Sequence, residues 1–131
     1  DTDTLESVVL ARAKSSGLSL AVLECGLGGE LSRRLKAAGL SEGCIRTMEE
    51  PVNAEELLQH LHALQSDQPV DIALAASLAP GQWQQDLQLI AAGPAETHSL
   101  QRSWGGPASM GITWSANTAL DFLRRIMTSE G

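Results

Sequence analysis

Leu18-Ser19-Leu20-Ala21-Val22-Leu23-Glu24-Cys25-Gly26-Leu27-Gly28-Gly29 is the stretch on which the fold turns. Its first seven residues form a short apolar run behind Gly17, a length and setting that suit a buried strand. Glycines then crowd the next five positions. A helix follows over about 29–38, with Leu31, Leu35 and Ala38 on its inner face and Gly39 as its stop. Arg33, Arg34 and Lys36 lie elsewhere on that helix and read as a solvated face. A strand, a glycine turn and a helix in sequence make the opening unit of an α/β fold.

Working outward, residues 4–16 carry Leu5, Val8, Val9 and Arg12 at helical spacing, and Asp3 with Glu6 fits a capping box. Residues 40–52 read as a loop or a short extended piece around Cys44-Ile45-Arg46. A helix is expected over about 53–66, where Asn53 and Glu56 repeat the capping-box pattern and Leu57, Leu58, Leu61 and Leu64 make the apolar stripe. Val70 to Ala76 is a second buried strand, followed by a loop at Ser77-Leu78-Ala79-Pro80-Gly81. Asp86 to Ala91 and Thr97 to Trp104 read as a hairpin turning at Gly93-Pro94, the latter strand alternating as an edge strand does. A last helix spans about 109–128, with Ile112, Ala116, Ala119, Leu123 and Ile126 as its stripe and Arg124-Arg125 in its final turns, where cations suit the dipole. Strands that are apolar throughout, separated by helices, require a sheet covered on both faces. The expectation is a three-layer α/β/α sandwich around a mixed, mostly parallel sheet of about four to five strands, in one domain over residues 1–131.

Composition narrows the function. Nine Lys and Arg against sixteen Asp and Glu leave a net charge of −7, which argues against a nucleic-acid backbone binder. Apolar residues at 43% supply a core, yet the longest apolar run is far shorter than the roughly 18–20 residues of a membrane span. Three Trp, one Phe and no Tyr mean that the core is built from Leu, Ala, Ile and Val. The two cysteines, Cys25 and Cys44, read as free thiols of a reducing, cytoplasmic compartment. The chain begins at Asp1 rather than Met, which fits a processed product or a piece of a longer protein.

The glycine turn is where chemistry fits best. Glycines between a strand and a helix let backbone amides approach a ligand, and the helix N-terminus favours an anion. Glu24, Gly26, Gly28 and Gly29 are candidate ligand residues for a nucleotide or small anion; the alternative is a tight turn whose glycines serve packing alone. The spacing is neither the dinucleotide fingerprint, since Leu31 stands at its third glycine, nor a P-loop, since no Gly-Lys-Ser/Thr follows. Cys25 at the mouth of the turn is a candidate nucleophile if a base is near, with His60, His62 and His98 as candidates, or else a small buried thiol. Glu24 either acts on a ligand, binds backbone amides or points to solvent. His60 and His62 are two apart and face different ways on a helix, so neither a metal nor a cofactor is called for, although Cys44 or His98 would have to complete any zinc site. Trp83, Trp104 and Trp114 serve packing or a ligand platform.

The stretch Leu20 to Gly29 resembles the CinA C-terminal domain family, also seen as stand-alone nicotinamide mononucleotide amidohydrolases, whose hallmark is A-E-S-C-T-G-G after an apolar strand. Val70 to Gly81 is similar to the family's apolar strand followed by T-G-I-A-G-P, and Ala119-Leu120-Asp121-Phe122-Leu123-Arg124-Arg125 to its closing A-L-D-L-L-R-R segment. The order of elements agrees over nearly the whole chain. The resemblance implies a pocket at the glycine turn where, in active members, a serine hydrolyses a nucleotide carboxamide to acid and ammonia. It places Cys25 at the family's serine, retains Glu24, Gly28 and Gly29, puts Gly26 and Leu27 where the family has cysteine and threonine, and sets Ala76 and Ser77 at the T-G of the second motif, with Ser77 in the ligand pocket. It also implies self-association into a homo-oligomer, and a fused or associated molybdopterin-binding-like domain.

The departures are larger than these substitutions. Active members carry Y-S-N-x-x-K between the helices that correspond to 29–38 and 53–66. This chain has no Tyr, and its two lysines, Lys14 and Lys36, fall inside other helices. The K-P-V-G-T segment is replaced by Gln82-Trp83-Gln84-Gln85. A hydroxyl nucleophile needs a positioned base. The expectation is a degenerate domain without amidohydrolase activity that serves as a binding, assembly or regulatory module. The alternative is an active nicotinamide mononucleotide amidohydrolase with Cys25 in place of the serine.

Overall fold

The computed structural model describes residues 4–81 and 83–130 of the 131. In chain order the elements are α1 (Leu5–Ser15), β1 (Leu20–Cys25), α2 (Glu30–Ala37), a 3₁₀ turn (Glu42–Cys44), β2 (Ile45–Met48), α3 (Ala54–Asp67), β3 (Ile72–Pro80), β4 (Gln85–Ala92), β5 (Thr97–Trp104) and α4 (Ala108–Glu130). The five strands form one sheet in the order β2-β1-β3-β4-β5. β1, β2 and β3 pair in parallel, β4 runs against β3, and β5 runs against β4. Four strands therefore point one way and β4 the other, which is the mixed sheet expected.

Burial explains which strands were legible. β1 is buried at all six positions and β3 at its first seven, because both lie between helix layers. Leu20 and Val22 of β1 join Ile72 and Leu74 of β3 in a core beneath α1, α2 and α4. Ala21, Leu23 and Cys25 face the other way, with Ala73 and Ala75, against Leu57, Leu61 and Leu64 of α3. The period of two thus divides each central strand between two cores. β4 alternates buried and half-buried residues, and β5 is mostly exposed at the sheet edge. The layers are α1, α2 and α4, then the sheet, then α3.

Three local expectations change. The capping box of α1 is made by Thr4 and Ser7, each side chain bonded to the other's backbone N–H; Asp3 lies outside the described residues. Asn53 and Glu56 make the expected box on α3. Residues 45–48, read as a loop or short extended piece, pair with β1 as strand β2, while Ser77 to Pro80, read as loop, continue β3 and pair with Gln85 to Gln88. Pro80 is tolerated because it is the last residue of that ladder, where a missing donor costs little.

Candidate functional site

The sheet register brings the sequence-predicted site residues to one end of the sheet and then separates them by face. Glu24 lies opposite Thr47 of β2 and Ala76 of β3, and Cys25 lies opposite Met48 and Ser77. Adjacent residues of a strand point to opposite faces. Glu24 therefore turns toward α2, and Cys25 toward α3.

On the α2 side the Glu24 side chain is fully buried. One carboxylate oxygen accepts the Gly29 N–H at 2.9 Å and the other accepts the Ser32 N–H at 2.5 Å. Gly29 is the N-cap of α2; with φ of +82° and no side chain it cannot cap the helix itself. Glu24 does so from the strand, satisfying two helix-end amides and placing a negative charge at the positive end of the dipole. Ser32 Oγ and Thr47 Oγ1 share a hydrogen bond at 2.7 Å beside it. The sequence left three readings of Glu24 open, and its contacts are those of a carboxylate bound to backbone amides. Ser32 and Thr47 escaped the sequence analysis. The available signal was an acidic residue five positions before a glycine N-cap, with a serine at the third helical position.

The turn between is held tightly. Gly26 has φ of +77°, and a Cβ there would stand 2.5 Å from the Leu78 carbonyl oxygen. Only glycine fits such a close approach in a left-handed conformation. Its N–H donates to the Met48 carbonyl at 3.0 Å. Gly28, with φ of +64°, packs near Ile112 of α4, and Leu27 between them is fully buried. The Glu30 N–H donates to the Leu27 carbonyl at 3.2 Å. The amides of Gly26, Gly29, Glu30 and Ser32 are thus all engaged within the chain.

On the α3 side the Cys25 side chain is also fully buried. Its thiol donates to Met48 Sδ at 3.8 Å, and burial, with the nearby Glu24 charge adding to it, pushes the thiol up to about 11. His98 is on β5, three strands removed from β1, at the level of Val22 and on the opposite face of the sheet from Cys25. At roughly 4.8 Å per strand spacing it is about 14 Å away across the sheet. His60 is half-buried and His62 exposed on α3, and neither is hydrogen-bonded to Cys25. Ser77 is buried in β3 rather than set in a loop; its Oγ accepts the Val52 N–H at 2.9 Å and donates to the Val52 carbonyl at 3.0 Å, pinning the segment that leads into α3.

The remaining candidates disperse. Cys44 is half-buried and free, and no group of three metal-ligating side chains occurs among the described residues. Arg33 pairs with Glu30 and Lys36 with Glu42 on the surface, whereas Arg34 reaches across to Glu6 at 2.9 Å as a largely buried tie between α2 and α1. Trp104 and Trp114 stand 6.2 Å apart, tilted, where β5 ends against α4, and Trp83 is 83% exposed. No helix among the described residues is long and apolar enough to cross a membrane.

No protein-family model matches the chain, and no curated protein sequence matches it either. Solved structures do. A competence-damaged protein (CinA) superfamily protein from Klebsiella pneumoniae superposes with a TM-score of 0.72 at 15% identity, over 95% of this chain and 96% of that one. A CinA superfamily protein from Escherichia coli gives 0.73 at 13% identity, over 93% and 88%, and a competence/damage-inducible protein from Agrobacterium tumefaciens gives 0.68 at 15%, over 95% and 97%. Over nearly its whole length, this chain shares the fold of these CinA structures.

Proposed function

We propose that this chain is a CinA-fold domain without amidohydrolase activity that works as a binding or assembly module. The observation that carries the reading is the position of Cys25. The residue at the family's serine is sealed on the α3 face against Met48, with its thiol held in the neutral form well above physiological pH. A thiol must ionise to attack a carboxamide, and no base among the described residues is bonded to it. The turn's amides add support: an oxyanion or phosphate needs free N–H donors, and Glu24 already occupies the Gly29 and Ser32 amides. The chain also lacks any tyrosine, and Lys14 and Lys36 lie on α1 and α2 rather than beside the turn.

Incubation with nicotinamide mononucleotide, followed by ammonia release, tests the reading beside a Cys25→Ala variant. No release above the buffer rate from either protein is expected. Release that disappears in Cys25→Ala would establish a cysteine amidohydrolase and overturn the reading.

A further inference from the structure

β5 is one of the two edge strands of the sheet and the longer: β2, at the other edge, has only four residues. β5 pairs with β4 without interruption from Gln85–Trp104 to Ala92–Thr97, and no strand among the described residues covers its other side. It is eight residues long and contains no proline, and Arg102 is its one charged Lys or Arg. Natural edges are usually shortened, bulged, covered or studded with charge, because a bare ladder of N–H and C=O groups templates another strand.

The face of β5 that carries His98, Leu100, Arg102 and Trp104 borders a groove of about 770 Å³ between β5 and α4. Leu100, Phe122 and Ile126 supply its apolar surface. Its charges are unevenly matched. Asp121 on α4 holds both Arg124 and Arg125. Arg102, on the opposite wall, makes no ion pair among the described residues, and its guanidinium bonds only to the neighbouring Gln101 carbonyl at 2.9 Å. A guanidinium without an ion pair among the described residues, beside an apolar groove on a chain of net charge −7, is a local exception to the protein's charge.

We propose that β5 binds an extended acidic–apolar peptide segment as a sixth, antiparallel strand, with a carboxylate side chain opposite Arg102 and an apolar one, two residues on, opposite Leu100. Side chains two apart share a face, so a segment of the form acidic-x-apolar sets one residue on the guanidinium and the other in the groove toward Phe122 and Ile126. Backbone pairing supplies affinity, and the alternate side chains supply selectivity. A second copy of the chain fits less well. β5 itself carries no acidic residue, so no self-pairing of the strand sets a carboxylate opposite Arg102; Glu96, just before it, lies 3.6 Å from His98. Two chains of net charge −7 also repel. The inference takes its biological sense from the binding-module reading, but its test reads peptide binding alone, so it and the ammonia assay succeed or fail separately.

The probe is a fluorescein-labelled eight-residue peptide in which threonine alternates with valine, glutamate, leucine and valine, in that order. Saturable anisotropy binding to the full chain is expected. It should weaken by about tenfold or more with Arg102→Glu, recover when the peptide's glutamate is exchanged for lysine, and vanish when the threonines flanking the glutamate become prolines. Arg102→Ala gives a milder second variant, and circular dichroism checks that both fold. Absence of binding, or binding indifferent to Arg102 or to the prolines, would overturn the proposal. So would sedimentation showing that the chain dimerises and that Arg102→Glu or added peptide leaves the dimer intact while no peptide binds.

Discussion

The glycine turn and the β5 edge are opposites in how their polar groups are used. At the turn, the candidate side chains meet partners from the same chain: Glu24 takes the Gly29 and Ser32 amides, Ser77 takes both backbone groups of Val52, and the Cys25 thiol rests on a sulfur. At the β5 edge, no strand among the described residues pairs with the outer backbone groups, and the Arg102 guanidinium bonds to the Gln101 carbonyl rather than to a carboxylate of those residues. A site built to hold a ligand keeps donors in reserve. The turn, where the family resemblance points, uses Glu24 and Ser77 to hold α2 and α3 to the sheet, whereas the proposed binding strand lies at the other side of the fold.

If that contrast is right, substitutions at the turn act on stability, and those at the edge act on binding alone. Glu24→Ala should have the largest effect. Two charge-assisted bonds at about 1.5–3 kcal/mol each are lost from a fully buried site, so urea denaturation should show a loss of about 3 kcal/mol or more. Glu24→Gln, which keeps one acceptor, should cost roughly half of that. A Glu24→Ala protein as stable as the parent would break the contrast at its strongest point. Gly26→Ala comes next, at about 2–3 kcal/mol, because it joins left-handed strain to a clash with the Leu78 carbonyl. Ser77→Ala should cost about 1–2 kcal/mol, leaving a backbone N–H and C=O of Val52 without their side-chain partner. Arg102→Ala should change the unfolding free energy by less than about 0.5 kcal/mol, as expected of an exposed residue with no carboxylate partner among the described residues.

The Glu6–Arg34 pair sharpens the contrast through pH. Burial opposes ionisation of Glu6, but the hydrogen bonds and charge of Arg34 outweigh it and hold the Glu6 carboxyl below the usual carboxylate value of 4.5. The folded state therefore favours the ionised form. The stability this contributes is fully present above pH 4.5 and is lost as pH falls through the lowered folded value. Glu6→Gln should remove that component of acid sensitivity, so the stabilities of parent and variant should differ most near neutrality and converge as pH falls through the lowered Glu6 value. Equal separation at every pH would show that the Arg34 contact is packing rather than charge.

The sequence was most legible where residues are covered on both sides. β1 and β3 appear in it as uninterrupted apolar runs because helices lie above and below them. β2 is only four residues, none fully buried, and includes Arg46, so it lacked both the length and the pattern that mark a strand. The end of β3 was hidden by Pro80 and Gly81, which signal a loop but here close a ladder. At the turn, the resemblance implies one pocket that Glu24 and Cys25 would share. Their neighbouring positions in a strand are the reason they do not: period-two geometry turns one to α2 and the other to α3, and which residue faces which layer depends on helices distant in sequence. Amide capping by Glu24 was one of the open readings, but Ser32 as its second partner becomes visible only once α2 is folded against β1.

The most direct measurement follows Cys25 itself. In a Cys44→Ser background, iodoacetamide alkylation of the native chain should be far slower than that of the urea-unfolded chain at pH 7 to 9, and should rise only as pH approaches the thiol's value of about 11. Rapid alkylation that saturates near neutral pH would mean an exposed, ionised thiol at the glycine turn, and would contradict the account of a turn that has used its chemistry for structure.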